Sequence, residues 1–278
     1  MTKSNRSLFT QGLVLLTGIF LGRLSSTSIF DPSSFFCNDI ETRVETVAVV
    51  SSKSNHKFDV MRSNLYKSAI DAQPPKLRTK YRLGTVPQSG GGLHDTDRLL
   101  VGALYYNATS VFEFGLGEST MIAAHVGVPR YAGVDSDAVW VTMARDNSNM
   151  DHFRFSFADI GPTGLWGYPN NTKLNKIPLE YQIAALNNEM AAFDVYLVDG
   201  RYRTACACAS MLHALGRGGK RDKVLVGMHD WGRESYKRIL EVADMVEQSK
   251  RLAVFKIKKN TTEEDIFNLW ERLVWTSE

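Results

Sequence analysis

Five places in this sequence carry residues able to do chemistry together. Glu113-Phe-Gly-Leu-Gly-Glu-Ser-Thr120 places Gly115 and Gly117 where a tight turn lets a ligand touch the backbone. Asp135 follows about 20 residues later, a separation that suits a carboxylate meeting the two ribose hydroxyls of a nucleoside. Asp159 is the next strand-end acid, and Asp199-Gly-Arg-Tyr-Arg203 and His229-Asp-Trp231 complete the series. Asp199, His229 and Asp230 suit proton removal from a weakly acidic hydroxyl. The same residues also suit a hard or borderline divalent ion, with Asp199 and Asp230 as its carboxylate ligands. Arg201 and Arg203 are able to clamp an acidic acceptor through bidentate hydrogen bonds, or to pair with Asp199 or Asp230 instead. Trp166, Tyr168 and Trp231 offer flat surfaces for stacking a sugar, or serve as core and loop anchors.

The elements that must position these residues alternate between strand and helix periods. Helices are expected over Asp95–Tyr106, Glu118–Val126, Ala138–Arg145, Glu180–Met190, Thr204–Leu215, Glu234–Ala243 and Thr262–Val274. Strands are expected over Ser110–Phe114, Arg130–Val134, Phe153–Phe157, Phe193–Val198 and Val224–Met228, with a hairpin over Met245–Ile257. This pattern predicts an α/β fold: a doubly wound, mostly parallel seven-stranded sheet with an antiparallel C-terminal hairpin. Ligands on such sheets bind beyond the carboxyl ends of the strands, where the glycine turn and the acids fall.

On these residues the chain resembles the class I S-adenosylmethionine-dependent methyltransferases, from roughly Asp95 to Lys259. The resemblance is carried by the E-x-G-x-G turn, Glu113 to Gly117. It implies that Gly115 and Gly117 pack against the methionine part of S-adenosylmethionine and that Glu113 sits near its amino group. It implies further that Asp135 binds the ribose diol, and that Asp159 with Ile160 frames the adenine. Val198-Asp-Gly-Arg and Met228-His-Asp are similar, more weakly, to the Golgi glucuronoxylan 4-O-methyltransferase-like group. That resemblance implies a sugar hydroxyl as acceptor and a divalent metal, although Gly200-Arg201 replaces the Ala-Pro expected there. A nicotinamide dinucleotide site is the competing reading, but Thr120 stands where its third glycine belongs. A non-catalytic protein that keeps the fold as a binding module is the other alternative.

Composition sets the limits around this site. The chain has 278 residues, 44% hydrophobic and 23% charged, with a net charge of +3. These proportions exclude a disordered or multi-span membrane protein, and the mixed charges mark no surface for nucleic acid. Cys37, Cys206 and Cys208 are too few for a disulfide scaffold. Residues 1–30 read as a signal-anchor: Lys3 and Arg6 precede an apolar run from Leu8 to Leu24. The basic flank keeps the N-terminus cytosolic. Sequons at Asn107, Asn170 and Asn260 suit a luminal domain. The expectation is a single-pass type II protein of the endoplasmic reticulum or Golgi, secreted if the segment is cleaved at the small residues near Ser26. Residues 31–93 read as a stem, or as a segment folding over the site with Gly90–Gly92 as hinges. Residues 94–278 are then the catalytic domain, acting on a small-molecule or glycan acceptor.

Overall fold

The computed structural model describes residues 78–88, 92–164, 168–169 and 179–276. The N-terminal segment 1–30, Cys37, a short helix expected over Lys57–Ile70, Trp166 and the sequon residue Asn170 lie outside them. Among the described residues no helix is long and apolar enough to cross a membrane.

The elements run α1 (Asp95–Asn107), β1 (Ser110–Phe114), α2 (Glu118–Val126), β2 (Arg130–Asp135), α3 (Ala138–Ser148) and β3 (Arg154–Phe157). A π-helical turn (Glu180–Ala184) then leads into the short α4 (Ala185–Asn187), followed by β4 (Val195–Val198), α5 (Arg203–Gly216) and β5 (Leu225–Met228). A 3₁₀ helix (Glu234–Glu241), β6 (Ala243–Gln248), β7 (Ala253–Ile257) and α6 (Glu263–Leu273) complete the chain. Seven strands form one sheet in the order β3-β2-β1-β4-β5-β7-β6. β1 to β5 are parallel, and β7 runs antiparallel between β5 and β6. This is the doubly wound sheet with a C-terminal hairpin that the sequence predicts.

Strand alternation divides the core into two layers. Phe112, Phe114, Tyr196 and Val198 face α5 and α6, while Val111, Val195 and Leu197 join the layer of α1 and α2. β1, between β2 and β4, is buried at all five positions. It carries Glu113 into the interior, and that charge must be satisfied there.

Two helices differ from expectation in their winding. Tyr236, Ile239 and Val242 are buried three residues apart. A period of three aligns them on one face of a 3₁₀ helix. The helix therefore ends at Glu241, and Ala243 opens β6 by pairing with Ile257. The helix expected over Glu180–Met190 opens with a π turn. Tyr181, Gln182 and Ile183 are buried consecutively there. Gln182 donates to the Val274 carbonyl at 2.8 Å and accepts from Trp270 Nε1 at 2.9 Å, so it fastens this turn to the C-terminal helix.

The folded unit extends upstream of residue 94. Arg78 Nη1 donates to the carbonyls of Tyr105 (2.9 Å) and Tyr106 (3.2 Å), and Nη2 to that of Ala108 (2.5 Å). Tyr81 packs on Gly102 of α1, where a Cβ would lie 2.5 Å from that of Tyr81. Tyr81, Val86 and Leu93 belong to the same apolar layer as α1 and α2. Residues 78–88 are thus part of the domain.

At the amino ends of β2 and β3, Glu189 takes Arg130 at 3.1 Å and Arg154 at 2.7 Å. Arg130 also donates to the carbonyls of Ala191 and Ala192 and lies 3.7 Å from the Phe193 ring centroid. Removing one member of a buried pair leaves a charge without compensation. Glu189→Ala is expected to cost about 3–5 kcal/mol of stability, read from urea unfolding.

Candidate active site

The strand order reverses between β1 and β4, and the turns that follow these strands meet. Gly115 (φ +86°) has no room for a side chain: a Cβ there would stand 2.6 Å from the Gly200 nitrogen. A Cβ on Gly200 would stand 1.8 Å from the Tyr181 hydroxyl. Both glycines serve close backbone approach within the protein. Gly117 is different, because a Cβ there would meet nothing within 4 Å. Gly117 lines a cleft of about 330 Å³ at the carboxyl ends of the strands. Asp135 closes the other side of the turn. Its Oδ2 accepts from Leu116 N at 2.8 Å and its Oδ1 from Asp137 N at 2.9 Å. Burial pushes its carboxyl up to about 6, against the backbone hydrogen bonds that lower it. Asp137 caps α3 by accepting from Val139 N at 2.8 Å, and Trp140 follows on the cleft wall.

The far end of the cleft is charged. Asp199 Oδ1 lies 2.9 Å from His229 Nδ1 and 3.2 Å from Arg203 Nη2. Burial raises the Asp199 carboxyl, but His229 and Arg203 outweigh it and hold the group below the ordinary carboxylate range. Burial works against protonation of His229, and Asp199 overcomes it, so the imidazole titrates above its ordinary value. Behind His229 sits Asp97 of α1, fully buried, with Oδ2 3.7 Å from Nε2. Asp97 also receives the amides of Arg251 (2.9 Å) and Leu252 (3.2 Å) and the Ser249 hydroxyl. Asp97, Trp140 and Arg251 are site residues that the sequence reading missed. Asp97 falls inside the helix expected over Asp95–Tyr106.

Arg203 does not face an acceptor. Its guanidinium donates to the carbonyls of Gly200, His229 and Asp199 and pairs with Asp230 Oδ2 at 3.1 Å. It fastens the loop after β4 to the loop after β5. Arg233 holds the same Asp230 oxygen at 2.8 Å. Asp230 adopts φ +55°, a strained conformation for a residue with a side chain.

A guanidinium therefore occupies the space between Asp199 and Asp230 that a shared divalent ion would need. Among the described residues no group of three or more His, Cys, Asp or Glu is placed to hold a metal. The expected metal pair does not fit the geometry, because both carboxylates are already paired with Arg203.

Two cofactor residues also stand elsewhere. Glu113 does not line the cleft; its carboxyl lies beneath the turn and accepts from Tyr105, from Tyr131 at 2.5 Å and from Thr120 at 2.7 Å. Asp159 is not on the cleft wall either; its Oδ1 accepts from Gly161 N at 2.9 Å, and Ile160 is in the core. Of the expected set, Gly115, Gly117, Asp135, Asp199, Arg201, Arg203, His229 and Asp230 share one cleft. Tyr168 joins them, whereas Trp231 is buried against Phe255 at 4.9 Å between ring centroids. Thr120 spends its hydroxyl on Glu113 and on Gly117 N (3.2 Å), so the close helix–strand packing of a dinucleotide fingerprint is replaced by a polar contact. Glu118 pairs with Arg98, and Cys206 and Cys208 are buried.

No protein-family model matches the chain, and no curated protein matches it. Among solved structures, a methyltransferase-like protein from Silicibacter pomeroyi is similar at 25% identity, with a TM-score of 0.56. The match covers 67% of this chain and 97% of that one. The chain has the class I methyltransferase fold. More distant matches are a putative O-methyltransferase from Klebsiella pneumoniae (14% identity, 71% of this chain and 96% of that one, TM-score 0.41). An O-methyltransferase from Bacillus cereus in complex with SAH is also found (14% identity, 76% and 94%, TM-score 0.39).

Burial pushes the Glu113 carboxyl up to about 7 from an ordinary 4.5, although three hydroxyls oppose the shift. A carboxyl whose pKa rises on folding binds its proton more tightly in the folded chain. Its contribution is most favourable at low pH and is lost as pH rises through the folded value. The urea midpoint is therefore expected to fall between pH 4.5 and about 7. Glu113→Gln is expected to flatten that fall, measured by fluorescence-monitored unfolding across this range.

Proposed function

We propose that this chain is an enzyme, an S-adenosylmethionine-dependent O-methyltransferase. The observation that carries the reading is the two-ended cleft, with an open glycine turn and Asp135 at one end and the Asp199–His229 pair at the other. The likeness to the methyltransferase-like protein from Silicibacter pomeroyi supports it. S-adenosylmethionine supplies the methyl group, carried on a sulfonium that leaves as a neutral thioether.

The chain's own residues then have three tasks. Gly117 leaves space beside the turn, and Asp135 presents a carboxylate to a ribose diol. Asp199 takes the proton of the acceptor hydroxyl. Its hydrogen bond and closest ion-pair contacts run through Oδ1, which leaves Oδ2 to accept. His229 acts through Asp199 and is a positioning residue, since its Nδ1 fixes the carboxylate while its ring is held between Asp199 and Asp97. Arg203 keeps the two loops in register. Asp230, held by Arg203 and Arg233, belongs to that scaffold.

A luminal setting and a sugar hydroxyl as acceptor form part of this proposal. They rest on the N-terminal apolar run, the resemblance at Val198–Arg201 and His229–Asp230, and the exposure of Asn107 and Asn260. Endoglycosidase treatment of the expressed full chain is expected to increase its gel mobility.

Calorimetry with S-adenosylmethionine tests the binding half. Wild type is expected to bind, while Asp135→Ala and Gly117→Val are expected to weaken binding at least tenfold in folded protein. Each charge-assisted hydrogen bond lost by Asp135→Ala is worth about 1.5–3 kcal/mol. Unchanged affinity in both variants would place the nucleoside elsewhere. For the chemical step, Asp199→Asn is expected to lower kcat at least about 10²-fold with little change in cofactor affinity. His229→Asn keeps a donor toward Asp199 and is expected to retain more activity than His229→Ala. Equal losses in the two His229 variants would argue against a positioning role.

A further inference from the structure

Four arginines line the acceptor end of the cleft: Arg201, Arg203, Arg233 and Arg251. Three of them have carboxylate neighbours. Arg203 pairs with Asp199 and Asp230, Arg233 with Asp230, and Arg251 stands 3.8 Å from Asp230. Among the described residues Arg201 forms no ion pair, yet it is only 5% exposed. One face of its guanidinium is covered by the Tyr168 ring, 4.0 Å from the centroid. Among the described residues its Nε and Nη1 have no hydrogen-bond partner. Leaving a buried guanidinium with unsatisfied donors is costly, and buried donors of this kind are ordinarily matched.

The charge distribution along the cleft points the same way. The acceptor end sets four guanidinium groups against two carboxylates, Asp199 and Asp230, and both of these are already engaged. The nucleoside end carries Asp135 and Asp137. An anion entering this cleft is drawn to the end that holds Arg201. Arg201 is the guanidinium among the four that no described carboxylate pairs, which fits an anion that carries a carboxylate. The planar guanidinium edge also matches a carboxylate in shape.

We propose that Arg201 binds a carboxylate on the acceptor, so that the substrate is an anionic hydroxy compound. The proposal rests on the methyl-transfer reading of the cleft and names the class of acceptor that this reading leaves open. Arg201 selects the substrate, and Tyr168 holds the guanidinium in place.

The test uses the full chain and two substitutions, Arg201→Gln and Arg201→Lys, both checked for folding by thermal melting. Calorimetry compares S-adenosylhomocysteine, which carries a carboxylate, with 5′-methylthioadenosine, which does not. The protein saturated with S-adenosylhomocysteine is then titrated with 4-hydroxybenzoate against 4-hydroxybenzyl alcohol, and with D-glucuronate against D-glucose, following thermal shift. In wild type, at least one carboxylate is expected to stabilise the protein while its neutral counterpart does not. Arg201→Gln is expected to need at least tenfold more carboxylate for the same shift, with Arg201→Lys in between. Both nucleosides are expected to bind the variants within twofold of wild type. If Arg201→Gln weakens S-adenosylhomocysteine tenfold but spares 5′-methylthioadenosine, Arg201 reads the cofactor's own carboxylate and the proposal fails. It also fails if no carboxylate is preferred over its neutral counterpart, or if the substitution leaves that preference intact. Failure of wild type to bind S-adenosylhomocysteine would instead overturn the methyl-transfer reading itself.

Discussion

The fold depends on one carboxyl group that no solvent reaches. Glu113 sits on the fully buried strand β1, and its two oxygens gather hydroxyls from α1, α2 and β2. A buried ionisable group without such partners would destabilise the domain by several kcal/mol. With them, it fixes three elements around the start of the glycine turn. Leu116 N can then meet Asp135, and Gly117 can remain open to the cleft. The turn is therefore set from below by Glu113 and from the side by Asp135. A ligand finds it already formed and need not order it on arrival.

Arg203 plays the corresponding part at the other end. Loops after parallel strands have no hydrogen-bond ladder to align them, so something else must hold the loops after β4 and β5 together. One guanidinium does so by spanning three carbonyls and two carboxylates. The side chain is planar and always charged, and a lysine could not make these contacts at once. The arrangement also fixes what Asp199 can do. With Oδ1 committed to His229 and Arg203, the carboxylate has one orientation, and among the described residues no hydrogen bond reaches Oδ2.

Much of this was legible in the sequence, because period and turn chemistry are local. The strand order follows from alternating elements, and the acids after successive strands had to converge at one edge of the sheet. Asp135, Asp199 and His229 were found in this way. The direction of a long side chain was not legible. Arg201 and Arg203 are two residues apart and equal in charge, yet Arg203 turns into the scaffold and Arg201 stays beside Tyr168. Asp97 reaches a hairpin turn more than 150 residues away in sequence, a contact that only the folded chain creates. Glu113 matched the resemblance by position, but two tyrosines, Tyr105 and Tyr131, claim it before any ligand can. The helix expected over Glu234–Ala243 is wound as 3₁₀ over Glu234–Glu241, which the spacing of Tyr236 and Ile239 does not distinguish from an α-helix.

The attachment of residues 78–88 to α1 bears on how the chain can be shortened. Arg78 supplies donors to the last carbonyls of α1, groups that a helix end cannot satisfy internally. Tyr81 covers Gly102, a position where the helix offers bare backbone. A fragment beginning at residue 94 keeps every strand and every cleft residue except Gly92 and Leu93. It would nonetheless carry an uncovered apolar stripe along the helix that holds Asp97. Such a fragment would tend to self-associate through that stripe, and a dimer seen with it would report where the chain was cut.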